Sequence, residues 1–200
     1  LGANAVALQI PIGIEEHFQG VVDLITMKAF IWSNEAKGAN YDIVDIPADL
    51  VDLAKEKREL LVEAVSATDD DLMMKYLEGE EISEDEIRVA LRKATLAMKI
   101  VPVVTGSAFK NKGVQTLLDA VVDFLPSPLD IPAIEGENPK TNEIETRPPD
   151  AKAPFSGLIF KLMADKHLGQ LAFVRIYSGT VTAGSYVTNT IKNNKERVGR

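Results

Sequence analysis

Residues 100–128 carry the clearest structural signal in the chain and read IVPVVTGSAFKNKGVQTLLDAVVDFLPSP. The continuous apolar run over 100–104 predicts a strand that is covered on both faces in a parallel sheet. A loop of small and polar residues follows over 105–113, and apolar residues at helical spacing then occupy 114–125 and end at Pro126. This is one strand–loop–helix step of an α/β sheet. Because one step cannot form a sheet alone, we expect the chain to be a piece of a longer protein.

The residues before this step predict strands followed by helices. Alternating apolar residues indicate strands over 6–32, a turn-rich loop from Asn34 to Asn40 and a short edge strand from Tyr41 to Val44. Apolar residues at helical spacing then predict a first helix over 50–65.

Two further helices are predicted from their start signals. Thr68 and Asp71 have the spacing of a capping box, and this helix should end at Gly79. Ser83 and Glu86 repeat the capping-box signal at the start of a helix that should reach Met98. The carboxylates at both helix starts have a structural cause, because the helix dipole favours negative charge there.

The last third of the chain predicts a linker and then an all-β part. Residues 135–153 hold prolines, several acids and almost no large apolar residue, which is typical of a linker. Short strands follow over 155–162 and 171–177, and a turn at Ala183 and Gly184 leads into another strand. Such spacing indicates part of a small barrel or sandwich, whose open strand edges would invite pairing.

Composition and charge exclude several classes of protein. With 46% hydrophobic and 26% charged residues, the chain is of ordinary globular type, and no apolar run is long enough to span a membrane. It has no cysteine, so disulfides and thiolate zinc sites are excluded and a reducing compartment is expected. Residues 1–97 carry 20 acids against 9 bases, whereas residues 154–200 carry 2 acids against 7 bases. Two partners of opposite charge, or two solvated faces, would both explain that split.

No familiar catalytic motif is present. The chain contains no G-x-x-x-x-G-K-[ST], G-x-G-x-x-G, nucleophile elbow or H-E-x-x-H pattern. The two histidines, His17 and His167, lie far apart in the sequence and read as surface residues, so we predict neither a metal site nor catalytic residues. Glu15 and Glu16 read as a solvated turn, since adjacent residues of a strand face opposite sides.

The loop at Gly106 is the one candidate binding site. It follows the predicted parallel strand at its carboxyl end, where ligands of open α/β sheets bind. The small residues Ser107 and Ala108 let the backbone approach a planar ligand, and a backbone N–H can donate to a purine carbonyl oxygen. Many α/β proteins carry such loops, so the residues alone leave a ligand role and a plain structural role open.

Ordered motifs along the whole chain resemble the bacterial elongation factor G family. The loop and helix over 106–128 are similar to the last nucleotide-binding motif and final helix of that family's GTPase domain. Upstream residues are similar to its G′ insert, and downstream residues to the first strands of its β-barrel second domain. The motifs concerned are Leu1-Gly2-Ala3-Asn4, Glu15-Glu16-His17-Phe18, Gly20-Val21-Val22-Asp23-Leu24, Lys75-Tyr76-Leu77, Gly169-Gln170-Leu171 and Arg175-Ile176-Tyr177-Ser178-Gly179-Thr180-Val181.

The resemblance implies a fold class and a domain division. We expect an α/β fold, made of an α+β insert and the last strand–loop–helix of a P-loop GTPase sheet, followed by part of an all-β translation-factor barrel. The expected divisions are 1–98 for the insert, 99–134 for the end of the GTPase domain, 135–153 for the linker and 154–200 for the first half of the barrel.

The resemblance also implies a function. The family is a cytoplasmic ribosomal translocase that binds and hydrolyses GTP, moves tRNA and mRNA, and assists ribosome recycling. Ser107, Ala108 and Phe109 match the loop that packs beside the guanine base, with the Ala108 N–H presented to the guanine oxygen. The phosphate loop, the Mg²⁺-binding switches and the Asn-Lys-x-Asp motif would precede Leu1, so we predict that this piece neither binds GTP or GDP tightly nor hydrolyses GTP.

The expected partners follow from family and charge together. The acidic insert would contact the ribosomal stalk protein, and basic residues of the barrel would contact small-subunit rRNA. Contact with the tRNA–mRNA complex and recycling factor would be indirect, and no membrane is involved. A ribosomal protection protein, a recycling paralogue and a non-enzymatic ribosome-binding adaptor remain alternatives. The basic residues are Lys192, Lys195, Arg197 and Arg200.

Overall fold

The computed structural model describes residues 2–33, 38–138, 141–167 and 169–199. Leu1 of the first motif, residues 34–37 of the predicted loop, residues 139–140 of the predicted linker, and the basic Arg200 lie outside the described residues. The chain divides into two compact units, Leu1–Leu125 and Pro126–Arg200.

The first unit is built around a four-stranded antiparallel meander. Strand β1 (Ala5–Ala7) precedes the meander, and the four strands pair in the order β2-β3-β4-β5. Both faces of the meander are covered, because Val22 packs into the main core while Val21 packs with Phe18 and Trp32. The meander strands are β2 (Gln9–Ile12), β3 (Gly20–Asp23), β4 (Lys28–Trp32) and β5 (Tyr41–Val44).

The turn between β2 and β3 agrees with the interpretation of Glu15 and Glu16 as a solvated turn. Residues Glu15–His17 form one turn of 3₁₀ helix, and all three are exposed. Gly13 has a φ of +79°, and a Cβ there would lie 2.1 Å from the His17 carbonyl oxygen. Only glycine lets the chain fold back this closely, so Gly13 shapes the turn.

Three helices pack their apolar faces into the main core. They are α1 (Val51–Ser66), α2 (Asp70–Glu78) and α3 (Glu84–Leu96). Leu61 of α1 and Leu91 of α3 are 1% and 0% exposed, so both helices bury part of the stripe that their spacing predicts, whereas Leu60 of α1 is 49% exposed.

The helix ends test the predicted start and stop signals. Ser83 and Glu86 form the predicted capping box on α3. On α2 the predicted cap is wrong by one residue: Asp69 caps the helix by accepting from the Leu72 N–H, while the Thr68 hydroxyl donates back to Val65 of α1. A carboxylate at the helix start also gains from the helix dipole, which favours Asp69 over its neighbour.

The predicted strand–loop–helix step is present. Strand β6 (Val101–Val103) pairs in parallel with β1, the loop follows, and α4 (Val114–Phe124) begins after Gly113. The prediction that this strand is covered on both faces is wrong. Val101 and Val103 are 47% and 39% exposed, because the described residues leave the face of the strand that carries them partly uncovered.

The second unit consists of antiparallel hairpins. Its strands are β7 (Ile134–Glu137), β8 (Ile144–Arg147), β9 (Ser156–Asp165), β10 (Gly169–Ser178), β11 (Tyr186–Asn189) and β12 (Asn194–Arg197). They pair as β7-β8, β9-β10 and β11-β12.

The prediction of a linker over 135–153 did not foresee regular structure in that segment. The β7-β8 hairpin occupies 134–147 although it has few apolar residues. Backbone pairing, with the Asn138 amide donating to the Glu145 carboxylate, supplies the order that the side-chain pattern does not show. Among the described residues, no helix is both long enough and apolar enough to cross a membrane.

Candidate functional site

The 105–113 loop is closed at its base by two glycines. A Cβ on Gly106 would lie 2.9 Å from the Lys112 carbonyl oxygen, and one on Gly113 would lie 2.9 Å from the Gly106 Cα. Gly113 also has a φ of +85°, which disfavours other residues. The two ends of the loop can therefore approach each other only because both positions lack a side chain.

Backbone hydrogen bonds define the shape of the loop. Ser107 and Lys112 pair through two bonds, with N···O distances of 2.8 and 3.0 Å. Within that pair, the Asn111 N–H donates to the Ala108 carbonyl at 3.1 Å, and Asn111 has a left-handed φ of +53°. Asparagine tolerates that conformation better than most residues, so the loop is an ordered turn rather than an open chain.

The three residues predicted to lie beside guanine follow one another at the tip of this turn. Ser107 is half-buried, Ala108 is exposed, and the Phe109 ring is fully exposed. Within the described parts of the chain, the Ala108 N–H makes no hydrogen bond to another residue. The tip therefore offers an unused backbone donor beside an aromatic ring, which suits the carbonyl-bearing edge of a planar base.

Two lysines bind the loop to the meander of the first unit. The Lys110 Nζ donates to the carbonyl oxygens of Glu16 at 2.6 Å and Glu15 at 3.4 Å, both in the 3₁₀ turn. Lys112 is only 5% exposed, and its Nζ lies 3.4 Å from the Phe18 carbonyl oxygen. Bonds from an ammonium group to carbonyls are stronger than bonds between neutral groups, so both lysines hold the loop against the turn.

The start of α4 has a further anchor on the meander. The Gln115 side-chain amide donates to the carbonyls of Gly38 and Ala39 at 2.9 and 3.1 Å, and its oxygen accepts from the Trp32 indole at 3.2 Å. Gly38 has a φ of +76°, and a Cβ there would lie 2.1 Å from the Asn111 carbonyl oxygen. Gly38 thus lies directly against the loop.

The buried side-chain amide of Gln9 supports the start of the loop. The Thr105 N–H donates to the Gln9 side-chain oxygen at 3.3 Å, and Gln9 is only 4% exposed. A polar side chain buried this far is costly without a partner, which explains why it serves a backbone donor.

The local sequence does not indicate Lys110, Lys112, Gln115 or Gln9 as supports of the loop. The two lysines bind carbonyls 94 or 95 positions away in the chain, and those carbonyls belong to the backbone, so no complementary residue type marks them. Only the fold brings these groups together.

The strongest pKa shift occurs at a helix start, away from the loop. The Lys75 ammonium, together with the Ser83 N–H and hydroxyl, lowers the pKa of Glu86 to about 2. The Lys93 ammonium and the Leu72 N–H likewise lower the pKa of Asp69. These shifts come from helix capping and ion pairing, so they give no sign of acid–base catalysis.

Each unit also presents a charged surface. In the first unit, exposed acids surround the connection between α2 and α3, with the apolar Met74 and Leu77 exposed beside them. In the second unit, Lys195 and Arg197 are two apart on β12 and so share a face. The acids are Glu78, Glu80, Glu81, Glu84 and Asp85. We call these surfaces the acidic junction and the basic hairpin.

The first unit combines a meander, three helices and a strand–loop–helix step, and the second contains only β hairpins. This is a mixed α/β protein followed by a β-rich part, so the predicted fold class is confirmed. Residues 154–200 match the family model described as elongation factor G domain 2. This part of the chain is therefore similar to the elongation factor G domain 2 family, and the resemblance found in the sequence is confirmed there.

The fold of nearly the whole chain is found in a solved structure. A crystal structure of a protein from Thermus thermophilus superposes with a TM-score of 0.71 and 24% sequence identity, over 97% of this chain. The chain corresponds to 26% of that protein's length. At this identity the likeness establishes the fold.

Proposed function

We propose that the chain is part of a translation elongation factor of the G type, which binds and hydrolyses GTP to move tRNA and mRNA through the ribosome and assists ribosome recycling. The observation that carries this proposal is the family match over 154–200, preceded by the strand–loop–helix step that the resemblance predicts. Such a factor works in the cytoplasm, where it meets ribosomes.

In this proposal the 105–113 loop holds one edge of the guanine base. The Ala108 N–H would donate to the guanine oxygen, and Ser107 and Phe109 would pack beside the ring. The residues fit the base because the donor is unused by the described residues and the tip is exposed. Bound Mg²⁺–GTP supplies the phosphoanhydride that is cleaved, but the chain has no phosphate-binding motif.

The proposed base contact is tested by Ala108→Pro in the full-length protein. Proline has no N–H, so GDP affinity should fall about tenfold or more, whereas Ala108→Ser keeps the N–H and should bind as wild type. Equal affinity of the proline variant and the wild type would contradict the contact. The 200-residue chain alone should hydrolyse no GTP. Turnover that copurifies with the chain and disappears in Ser107→Ala would overturn that expectation.

The activity itself is tested with ribosomes. The full-length protein should hydrolyse GTP only in their presence and should advance mRNA by one codon in a translocation assay. Ribosome splitting without translocation would favour the recycling paralogue. Release of a bound inhibitor without translocation would favour the protection protein, and ribosome binding without GTP hydrolysis would favour the adaptor.

The acidic junction is the proposed contact for the ribosomal stalk protein. Its carboxylates are exposed, and opposite charge on a partner would speed and strengthen association. Glu80→Gln with Glu81→Gln should weaken stalk binding at low salt. The matched control is Asp52→Asn with Glu63→Gln on α1, which removes the same charge elsewhere. Stalk binding that is absent or unaffected by salt would contradict the proposal.

The basic hairpin is the proposed contact for small-subunit rRNA. Each phosphate contact that is lost should reduce the slope of log affinity against log salt by about 0.7 to 0.9. Lys195→Gln with Arg197→Gln should therefore lower that slope for ribosome binding, while Lys166→Gln, an exposed lysine on another hairpin, should not. An unchanged slope in the double variant would remove the hairpin from the interface.

A further inference from the structure

We infer that Lys110 is a positioning residue for guanine recognition, holding the 105–113 loop where the Ala108 N–H can meet the base oxygen. The inference rests on the proposed function, because it takes the guanine contact of Ala108 as given. It adds a residue that makes no contact with the nucleotide in that proposal.

The first step of the argument is the position of Lys110 in the loop. It lies two residues after Ala108 and directly after Phe109, inside the turn closed by the Ser107–Lys112 pair. A displacement of Lys110 must therefore move the tip, since the short turn leaves little backbone freedom between the two positions.

The second step is the nature of its anchor. The Lys110 ammonium binds two consecutive carbonyl oxygens, those of Glu15 and Glu16, in a turn whose shape Gly13 dictates. Two backbone acceptors on a tightly built turn define the ammonium position better than one mobile side-chain acceptor would.

The third step concerns the other anchors of the loop, which hold it away from its tip. Lys112, Gln115 and Gln9 hold the base of the loop and the start of α4. Lys110 ties the tip side of the turn to the 3₁₀ turn that precedes β3. Without it the tip would lose its fixed place, and the backbone pair of Ser107 and Lys112 would open more often.

The experiment compares two nucleotides in the full-length protein. GDP carries the base oxygen at C6, whereas the diphosphate of 2-aminopurine riboside lacks both that oxygen and the N1 hydrogen. The part of the ratio of the two dissociation constants that Ala108→Pro removes reports the Ala108 contact. Lys110→Met should weaken GDP binding about tenfold, equivalent to about 1.4 kcal/mol, and leave the analogue almost unchanged.

Two variants serve as controls. Lys99→Met removes the same charge at an exposed position near β6, and it should keep the wild-type ratio. Lys110→Arg keeps a cation that can reach the carbonyls and should restore the ratio to within about threefold of wild type. A purely structural defect would weaken both nucleotides equally and so leave the ratio unchanged.

A second measurement needs no nucleotide. In the 200-residue chain, Lys110→Met should raise amide hydrogen exchange at Ser107 and Lys112, whose N–H groups form the backbone pair, about tenfold above Lys99→Met. Faster amide exchange in Lys110→Met, together with a smaller ratio of the two dissociation constants, supports the inference.

The outcomes distinguish a failure of the inference from a failure of the proposed function on which it rests. A wild-type ratio near one would overturn the guanine contact of Ala108 and the inference with it. A large wild-type ratio that persists in Lys110→Met, equal loss of both nucleotides, or unchanged amide exchange would overturn the positioning role alone.

Discussion

Gly38 offers a sharp test of the contact between the 105–113 loop and the first meander. Gly38 and Gly79 have nearly the same backbone conformation, with φ of +76° and +73°. Their surroundings differ, because a Cβ on Gly38 would lie 2.1 Å from the Asn111 carbonyl oxygen, whereas a Cβ on Gly79 would meet nothing within 4 Å. Comparing alanine at the two positions therefore separates the clash with the loop from the strain of a left-handed residue.

The expected magnitude follows from these distances. Both variants should lose about 1 to 2 kcal/mol from the left-handed conformation. Gly38→Ala must in addition move the segment by roughly 1 Å, enough to break the bonds from Gln115 to Gly38 and Ala39. Two such bonds contribute about 1 kcal/mol each, so Gly38→Ala should lose about 2 kcal/mol more than Gly79→Ala.

Urea unfolding followed by tryptophan fluorescence measures the difference. Trp32 is the single tryptophan, is 2% exposed, and donates to Gln115 at this same contact. With a slope of about 2 kcal/mol per molar urea, Gly38→Ala should unfold at a midpoint about 1 M below that of Gly79→Ala. Equal midpoints at equal slopes would refute the close approach of Gly38 to the loop.

Three further predictions concern the helices of the first unit. Ser83→Ala removes the α3 cap and should reduce the free energy of unfolding by about 1 kcal/mol, measured by urea denaturation followed by circular dichroism. Because ion pairing and capping lower the pKa of Glu86 from 4.5 to about 2, its stabilisation is present above 4.5 and lost as pH falls toward 2. The stability gap between wild type and Glu86→Gln should therefore close over that range; a constant gap would contradict the shift. Leu91→Ala, at a fully buried position, should cost about 2 to 5 kcal/mol in thermal or urea unfolding, against about 0.5 kcal/mol or less for the exposed Val89→Ala, and similar losses would contradict the packing of α3.

Elements specified by short-range signals were predicted closely. The capping box of Ser83 and Glu86 starts α3 as predicted, because both partners lie within one helical turn. Gly79 ends α2 in the left-handed conformation for an equally local reason. The α2 start shows the limit of such signals: Thr68 and Asp69 can both cap a helix, but the Thr68 hydroxyl donates to the Val65 carbonyl in the last turn of α1.

Elements specified by distant partners were predicted less well. An apolar run shows only that a strand can be buried. Whether its faces are buried depends on the elements that pack against it, and Val101 and Val103 remain half exposed. The β7-β8 hairpin escaped prediction because backbone pairing leaves no apolar alternation to detect.

The sequence by itself determined the fold class, the end of α2 at Gly79 and the start of α3 at Ser83, and it marked the 105–113 loop as a candidate site. Those features depend on residue spacing within a few positions, which is written directly in the chain. Only the tertiary structure decided what holds that loop. The carbonyls bound by Lys110 belong to the backbone of Glu15 and Glu16, and every residue carries a carbonyl, so only folding could select these two.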